Sequence, residues 1–587
     1  MVVKSIKEKS SSFFLYFCSK GFKKPASPQQ GTKGNAVSSE QKQPGGWKAM
    51  PFILGNETFE RFATIGLLSN FMVYLMKKFN MDQVSASNVL NIWSGVSNFA
   101  PLIGAFISDA YVGRFATIAV ASVASFLGML TITLTAWIPQ LQPPQCPAEQ
   151  QLHGHCISPN KAQLGVLLTG LGLLSIGTGG IRPCSIPFGI DQRDERDQQL
   201  LQLVLHHIHI GHIAHFNPCG LYSRLSELVF VAAYNKRHLK LPAEGHEFGV
   251  FYDPPLKEYV LSKLPLTYQF RFMNKAAITT KNDLEDDGSP KKWWLCSIQD
   301  VEEVKCLIRI IPIWASGIIS FTAMAQQGTF TLSQALKMNR HLGPKFQIPA
   351  GSMGVISMLT IGIFLPVYDR IMVPSLRKIT KHEGGITLLQ RIGIGNFFSI
   401  LAMVAAGVFE QKRRNSATLH PGAAPISVFW LSPQLILMGF CEAFNILGQI
   451  EFFNKQFPEH MRSIANSLIF CSLAGSSYLS SIVVNVVHHV TGGHGHPDWL
   501  TNDINAGRLD YFYYILAVMS AFNFLYFLYV AHRYRYKGQV RIEPKSEHDV
   551  ELSSIYDTHS IKCSMESEKR PAIATWHGSV GFETSQF

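Results

Sequence analysis

Asn56-Glu57-Thr58-Phe59-Glu60-Arg61-Phe62 heads an apolar stretch that runs on to about Leu75. Charge in a membrane-length segment is expensive, about 2.5–3.5 kcal/mol per residue on insertion scales, and it is kept where it lines a cavity or a proton path. Glu57, Glu60 and Arg61 fall at i, i+3 and i+4, so one helix face carries all three. Two acids beside one base can hold a proton or an ion pair. The same residues also fit a helix end at the interface, with Arg61 reaching for headgroups.

Working outward, ten windows match the length of about 20 apolar residues that spans a bilayer. They lie near 57–77, 86–111, 115–138, 162–190, 304–325, 350–373, 391–410, 426–453, 463–490 and 511–532. The chain has 587 residues, 47% hydrophobic and 16% charged, and it reads as an all-α polytopic membrane protein. Hydrolase, kinase and nucleotide-binding motifs are absent from the sequence, so an enzyme is not expected.

The net charge is +12. Much of it sits before the first window (Lys4, Lys7, Lys9, Lys20, Lys23, Lys24) and after the last (Arg533, Arg535, Lys537, Arg541). An even number of spans puts both tails on one side, and the positive-inside rule makes that side cytoplasmic. The basic balance therefore reports topology and anionic lipid, not nucleic acid. Lys412, Arg413 and Arg414 disagree, because they follow the seventh window and would face outside. The run Phe13–Phe17 is too short for a cleaved signal. Of ten cysteines, Cys146 and Cys156 share a loop outside the membrane, as a disulfide or as two thiols. No cysteine spacing resembles a metal site.

Four windows come first, then a polar middle, then six. The expected limits are a tail over 1–44, a first transmembrane part over 45–197, a His-rich segment and cytoplasmic linker over 198–303, a six-helix part over 304–540 and a disordered tail over 541–587. The parts echo each other. The second window ends in Ser108-Asp109-Ala110-Tyr111-Val112-Gly113-Arg114, the sixth in Val367-Tyr368-Asp369-Arg370. Internal repeats of this kind mark secondary transporters.

Four blocks carry a resemblance. They are Glu57, Glu60, Arg61 and Phe62; Asp109 to Thr117 with Gly113-Arg114; Gly177-Thr178-Gly179-Gly180-Ile181-Arg182-Pro183-Cys184 with Phe188 to Gln192; and Gly448-Gln449-Ile450-Glu451-Phe452-Phe453 with Gln456 to Ser463. Together they resemble the major facilitator superfamily, and within it the proton-dependent oligopeptide transporters of the plant nitrate/peptide transporter family. The fourth block, with Glu442-Ala443-Phe444-Asn445, is most similar to the branch of low-affinity nitrate and glucosinolate transporters. The likeness covers roughly 45–197 and 224–540. It implies a major facilitator fold of twelve spans, of which about ten are legible here. After Asp191-Gln192 the expected fifth and sixth spans give way to a run containing His206, His207, His209, His212 and His215.

The resemblance implies a proton-coupled symporter of nitrate or another small organic anion, without a cofactor, in the plasma membrane with both termini cytoplasmic. Glu57, Glu60 and Arg61 would couple the proton. Arg182 and Glu451 would bind substrate, with Glu442 a weaker candidate. Asp109 and Arg114 would gate. Thr117 matches a phosphorylated position in one branch, although a cap on the third helix is the plainer reading. Met324 stands where one dual-affinity nitrate carrier has a His. The implied partners are the anion, protons and membrane lipid, with homo-oligomers as an option. Two other readings stand beside this one: a non-transporting truncated isoform or partner of full-length relatives, and a metal transporter using the His run.

Overall fold

The computed structural model describes residues 50–144, 146, 156–191, 218–242, 250–255, 263–280, 283–285, 290–344, 346–381, 384–419, 425–458, 461–492 and 498–536. Apolar segments that must satisfy their own backbone in lipid become helices, and each window does. In chain order they are α1 (Met50–Lys78), α2 (Gln83–Ile107), α3 (Arg114–Trp137), α4 (Lys161–Asp191), α5 (Pro218–Asn235), α6 (Ile298–Leu336), α7 (Val355–Val367), α8 (Val373–Thr380), α9 (Leu388–Leu419), α10 (Ser432–Gln456), α11 (Arg462–Thr491) and α12 (Leu509–Arg533). Among the described residues nine spans are long and apolar enough to cross a membrane, α7 and α8 together forming one. The charged-headed α1, at 29 residues, supplies the tenth window. The tails and the His run lie outside the described residues.

Successive crossings alternate, so α1 begins and α12 ends on one face, here the terminal face. The opposite face carries a disulfide between Cys146 and Cys156, with Cα atoms 5.8 Å apart. The Asn80 side chain donates to the carbonyls of Pro144 (2.9 Å) and Ile157 (3.2 Å), which ties the disulfide loop to the turn between α1 and α2.

Small residues set how closely α2, α3 and α4 approach. A Cβ on Gly179 would lie 2.9 Å from the Ala100 Cβ, and one on Gly180 would lie 2.5 Å from the Ala121 Cβ. Gly180→Val should therefore overpack this seam, at a cost of about 1–3 kcal/mol. Thermal unfolding in detergent would read this as a lowered midpoint, and an unchanged midpoint would show that the seam yields.

The first four helices meet the last six toward the disulfide face. Asn502 accepts from the Gln83 backbone N–H at 2.7 Å, Asn88 bonds Asn485 at 2.6 Å, and Ser477 donates to Ser94 at 3.3 Å. Gly95 lies against the Tyr478 ring, and Gly351 against the Ser69 carbonyl.

The three basic residues that broke the charge rule are each engaged where they stand. Lys412 sits 3.4 Å from the centre of the Trp430 ring. Arg413 forms a forked pair with the fully buried Glu410, both contacts at 2.8 Å. Arg414 donates to the Gly507 carbonyl. Cations used this way carry little topological information.

The polar middle differs from the expected linker. Its described part folds against the head of α6 around a core of its own, with Val229, Ala232, Met273, Ala276, Ala277 and Val301 fully buried. The Lys236 ammonium bonds Asp283 at 2.7 Å and the Ile278 carbonyl at 2.6 Å, with both side chains buried. Burial alone would raise the Asp283 pKa, but the hydrogen bonds from Lys236 and Thr280 outweigh it and hold the carboxyl below its ordinary value. The stability this adds is present above the unfolded carboxylate pKa and lost as pH falls through the lower folded one. Thr267 is clamped to α6 by Glu302 and Lys305, which makes the docking specific.

Candidate functional site

Glu60 lies on the face of α1 that packs against α4, and it is 9% exposed. Its Oε1 accepts from the Thr64 and Thr178 hydroxyls at 3.0 Å each, and from Arg182 Nη2 at 3.5 Å. Thr178 and Arg182 are one turn apart on α4, so their spacing aims both at the same oxygen. A close cation–carboxylate contact runs about 2.7–2.9 Å, and at 3.5 Å this pair is loose. Hydroxyls serve either state of the acid: they donate to a carboxylate and accept from a carboxylic acid. Glu60 can thus exchange its guanidinium for a proton without losing its place. Thr178 was not singled out from sequence, because a hydroxyl in a glycine run reads as packing; its i, i+4 relation to Arg182 was the available signal.

Glu57 is buried one turn before Glu60, at 8% exposure. Arg61 continues the helix, but its side chain lies outside the described residues, as does that of Asp109. Arg114 opens α3, half-buried, after Gly113, whose φ of +83° is a conformation that favours glycine. The cap reading of Thr117 does not hold. The cap position is Gly113, and Thr117, a turn inside the helix, is buried and donates to the Gly113 carbonyl at 2.9 Å.

The echo between the parts has a structural counterpart. Ser108–Val112 at the end of α2 and Tyr368–Met372 between α7 and α8 are both single π-helical turns. Such turns recur at functional positions.

Arg182 and Glu451, paired as substrate ligands in the sequence reading, take different partners. Glu451 lies in the last turns of α10, bonded to Arg391 at 2.9 Å and Lys455 at 2.7 Å, with its side chain 37% exposed. Arg391 stacks on the Tyr368 ring beside the second π turn. Glu442, the weaker candidate, sits mid-helix and half-buried, with no hydrogen bond or ion pair among the described residues. Met324 packs in an apolar cluster near the disulfide face. Among the described residues no group of His, Cys, Asp and Glu is arranged to hold a metal.

Comparison with known proteins places this geometry in context. The POT family (PTR2) matches residues 115–211 and 221–500. Protein NRT1/ PTR FAMILY 2.13 of Arabidopsis thaliana is 54% identical, over 89% of this chain and 93% of its own length. Protein NRT1/ PTR FAMILY 2.12 of the same plant is 48% identical, over 88% and 97%. The 579 aligned positions with the first exceed what 89% of a 587-residue chain supplies by about 57, so about that many of its residues face a gap. An auto-inhibited POT family peptide transporter shares the fold at a TM-score of 0.56 and 18% identity, over 84% of this chain and 99% of its own. With nine helices of membrane length and apolarity and α1 among the described residues, an acid–guanidinium pair between α1 and α4, and matches of this length, the chain belongs to the POT family of membrane transporters, among the plant NRT1/PTR proteins.

Proposed function

We propose that this transporter couples protons to a small anion, nitrate or an organic anion, through Glu60 and Arg182. The observation that carries this reading is the loose, buried Glu60–Arg182 pair held by two hydroxyls. An ionised Glu60 occupies the guanidinium. A proton on Glu60 frees it, and its planar fork then suits nitrate, carboxylate or sulfate. Proton and anion thus bind together, because each makes room for the other. Seams on the disulfide face and basic tails support a state closed to the outside, with both termini cytoplasmic in the plasma membrane. Asp109 and Arg114 then sit at the cytoplasmic gate, and Thr117 is a candidate phosphorylation position behind it.

Calorimetric titration of the purified protein with nitrate and with an organic carboxylate tests the coupling. Binding should tighten as the pH is lowered, because a proton on Glu60 leaves Arg182 to the anion. Arg182→Ala should weaken anions by about tenfold or more, the loss of one charge-assisted contact, and leave neutral ligands unaffected. Equal loss for charged and neutral ligands would place Arg182 in folding or gating instead.

A second reading, a chain that transports poorly alone, is supported by the positions of its relative that face a gap.

A further inference from the structure

The end of α5 forms a groove that the transport site does not use. Phe230, Val231, Tyr234 and Phe272 line a cavity of about 470 Å³, and Arg237 and Lys275 share the lining. The apolar walls are open: Phe230 is 44% exposed, Phe272 54% and Tyr234 65%. Water is a poor occupant for such a wall, since exposed apolar area of this kind marks a site for something apolar.

Three observations identify the occupant. The first is charge. Arg237 stacks 4.3 Å from the centre of the Tyr234 ring, and the Lys275 ammonium donates to the Arg237 carbonyl at 2.6 Å, so the two cations are held together at the rim. His238 and Lys240 follow, both exposed, and the nearby acid Asp283 is buried and engaged by Lys236. The second is depth. Trp293 and Trp294 are about half exposed, and the Trp293 carbonyl accepts from Asn235 at the last residue of α5. Exposed tryptophans beside basic residues mark the headgroup level of a bilayer. The third is direction. The apolar part of α5, Leu225–Asn235, starts at Leu225 against the cluster of Ile310, Ile313 and Phe453 between the long helices and ends at the groove.

We infer that the groove binds an anionic phospholipid of the leaflet on the terminal face, its phosphate on Arg237 and Lys275 and an acyl chain along Phe230, Val231 and Phe272. A basic pocket at the end of a membrane helix is a recognised form of headgroup site. The lipid would bridge α5 to the short helical turn Arg271–Ala277 and so steady the folded middle segment against α6.

The test is lipid retention by native mass spectrometry of the full chain, taken from micelles doped with equal phosphatidylglycerol and phosphatidylcholine. The wild type should retain phosphatidylglycerol with a preference of about thirtyfold, equivalent to about 2 kcal/mol for two cations. Arg237→Gln with Lys275→Gln should abolish the preference, Arg237→Lys should keep it, and Phe230→Gln should lower retention of both lipids. Unfolding midpoints in phosphatidylcholine alone check the variants. A preference that survives the double variant overturns the site. So does inorganic phosphate displacing the lipid at equal concentration, because the apolar wall would then contribute nothing. Conversion of a dimer to a monomer by Phe230→Gln, without change in lipid retention, would give the groove to a second copy and also overturn it.

Discussion

Glu60→Gln should abolish the pH dependence of anion binding and lower proton-driven uptake by about ten- to a hundredfold, the scale of a charge-assisted interaction worth about 1.5–3 kcal/mol. The amide keeps the shape and still accepts from Thr64 and Thr178, which contact Glu60 at 3.0 Å. It cannot take up a proton, and it cannot hold Arg182 as an ion pair. The variant therefore mimics the protonated acid permanently. Anion affinity at neutral pH should rise toward its acidic value while driven uptake falls, a split that misfolding cannot produce. Uptake in proteoliposomes under an imposed proton gradient, beside equilibrium binding, separates the two. Uptake that stays equally strong and equally pH-dependent would remove Glu60 from the coupling.

The second large effect concerns residues 192–217. Two crossings need about 20 residues each, and this interval, interrupted by His and closed by Pro218, is too short for both. A six-helix half short of two crossings would leave backbone and polar side chains facing lipid, at several kcal/mol for each unpaired group. The chain as it stands should transport at a small fraction of its capacity. Insertion of about 57 residues of the 54% identical relative between Gln192 and Pro218 should raise uptake about tenfold or more. The inserted form is also the background in which the Glu60 uptake measurement has most range. Robust proton-driven uptake by the unmodified chain, not improved by the insertion, would mean that ten crossings suffice.

Much of the fold was legible because hydropathy windows of membrane length leave the backbone only one solution. The ten windows fall on α1 to α4, α6, α7 with α8, and α9 to α12, but several helices run well past them: α6 goes on to Leu336 from a window ending near 325, and α9 to Leu419 from one ending near 410. The site was legible in part. Glu60 and Arg182 stood out because charge is costly where they lie, and they meet. What connects distant residues through neutral groups left no such trace. Thr178 looked like part of a glycine run. Asp283 drew no notice in the polar middle, because its buried partner Lys236 is 47 residues away. Glu451 stood in an apolar window, which does not show the Arg391 and Lys455 that engage it. Thr117 looked like a cap, but Gly113, with its positive φ, had already turned the chain four residues earlier.

The seam on the disulfide face is built from amides and hydroxyls: Gln83 with Asn502, Asn88 with Asn485, Ser94 with Ser477. Neutral hydrogen bonds contribute about 0.5–1.5 kcal/mol each, so this latch opens on thermal energy and a modest gain from ligand. It has no charge to titrate and little to screen. Ionic strength and external acidity should leave its opening rate nearly untouched, and soil or sap of any salinity would meet the same door. On the coupling proposed above, the decision to admit a proton falls at Glu60 behind this seam, and the latch only keeps time.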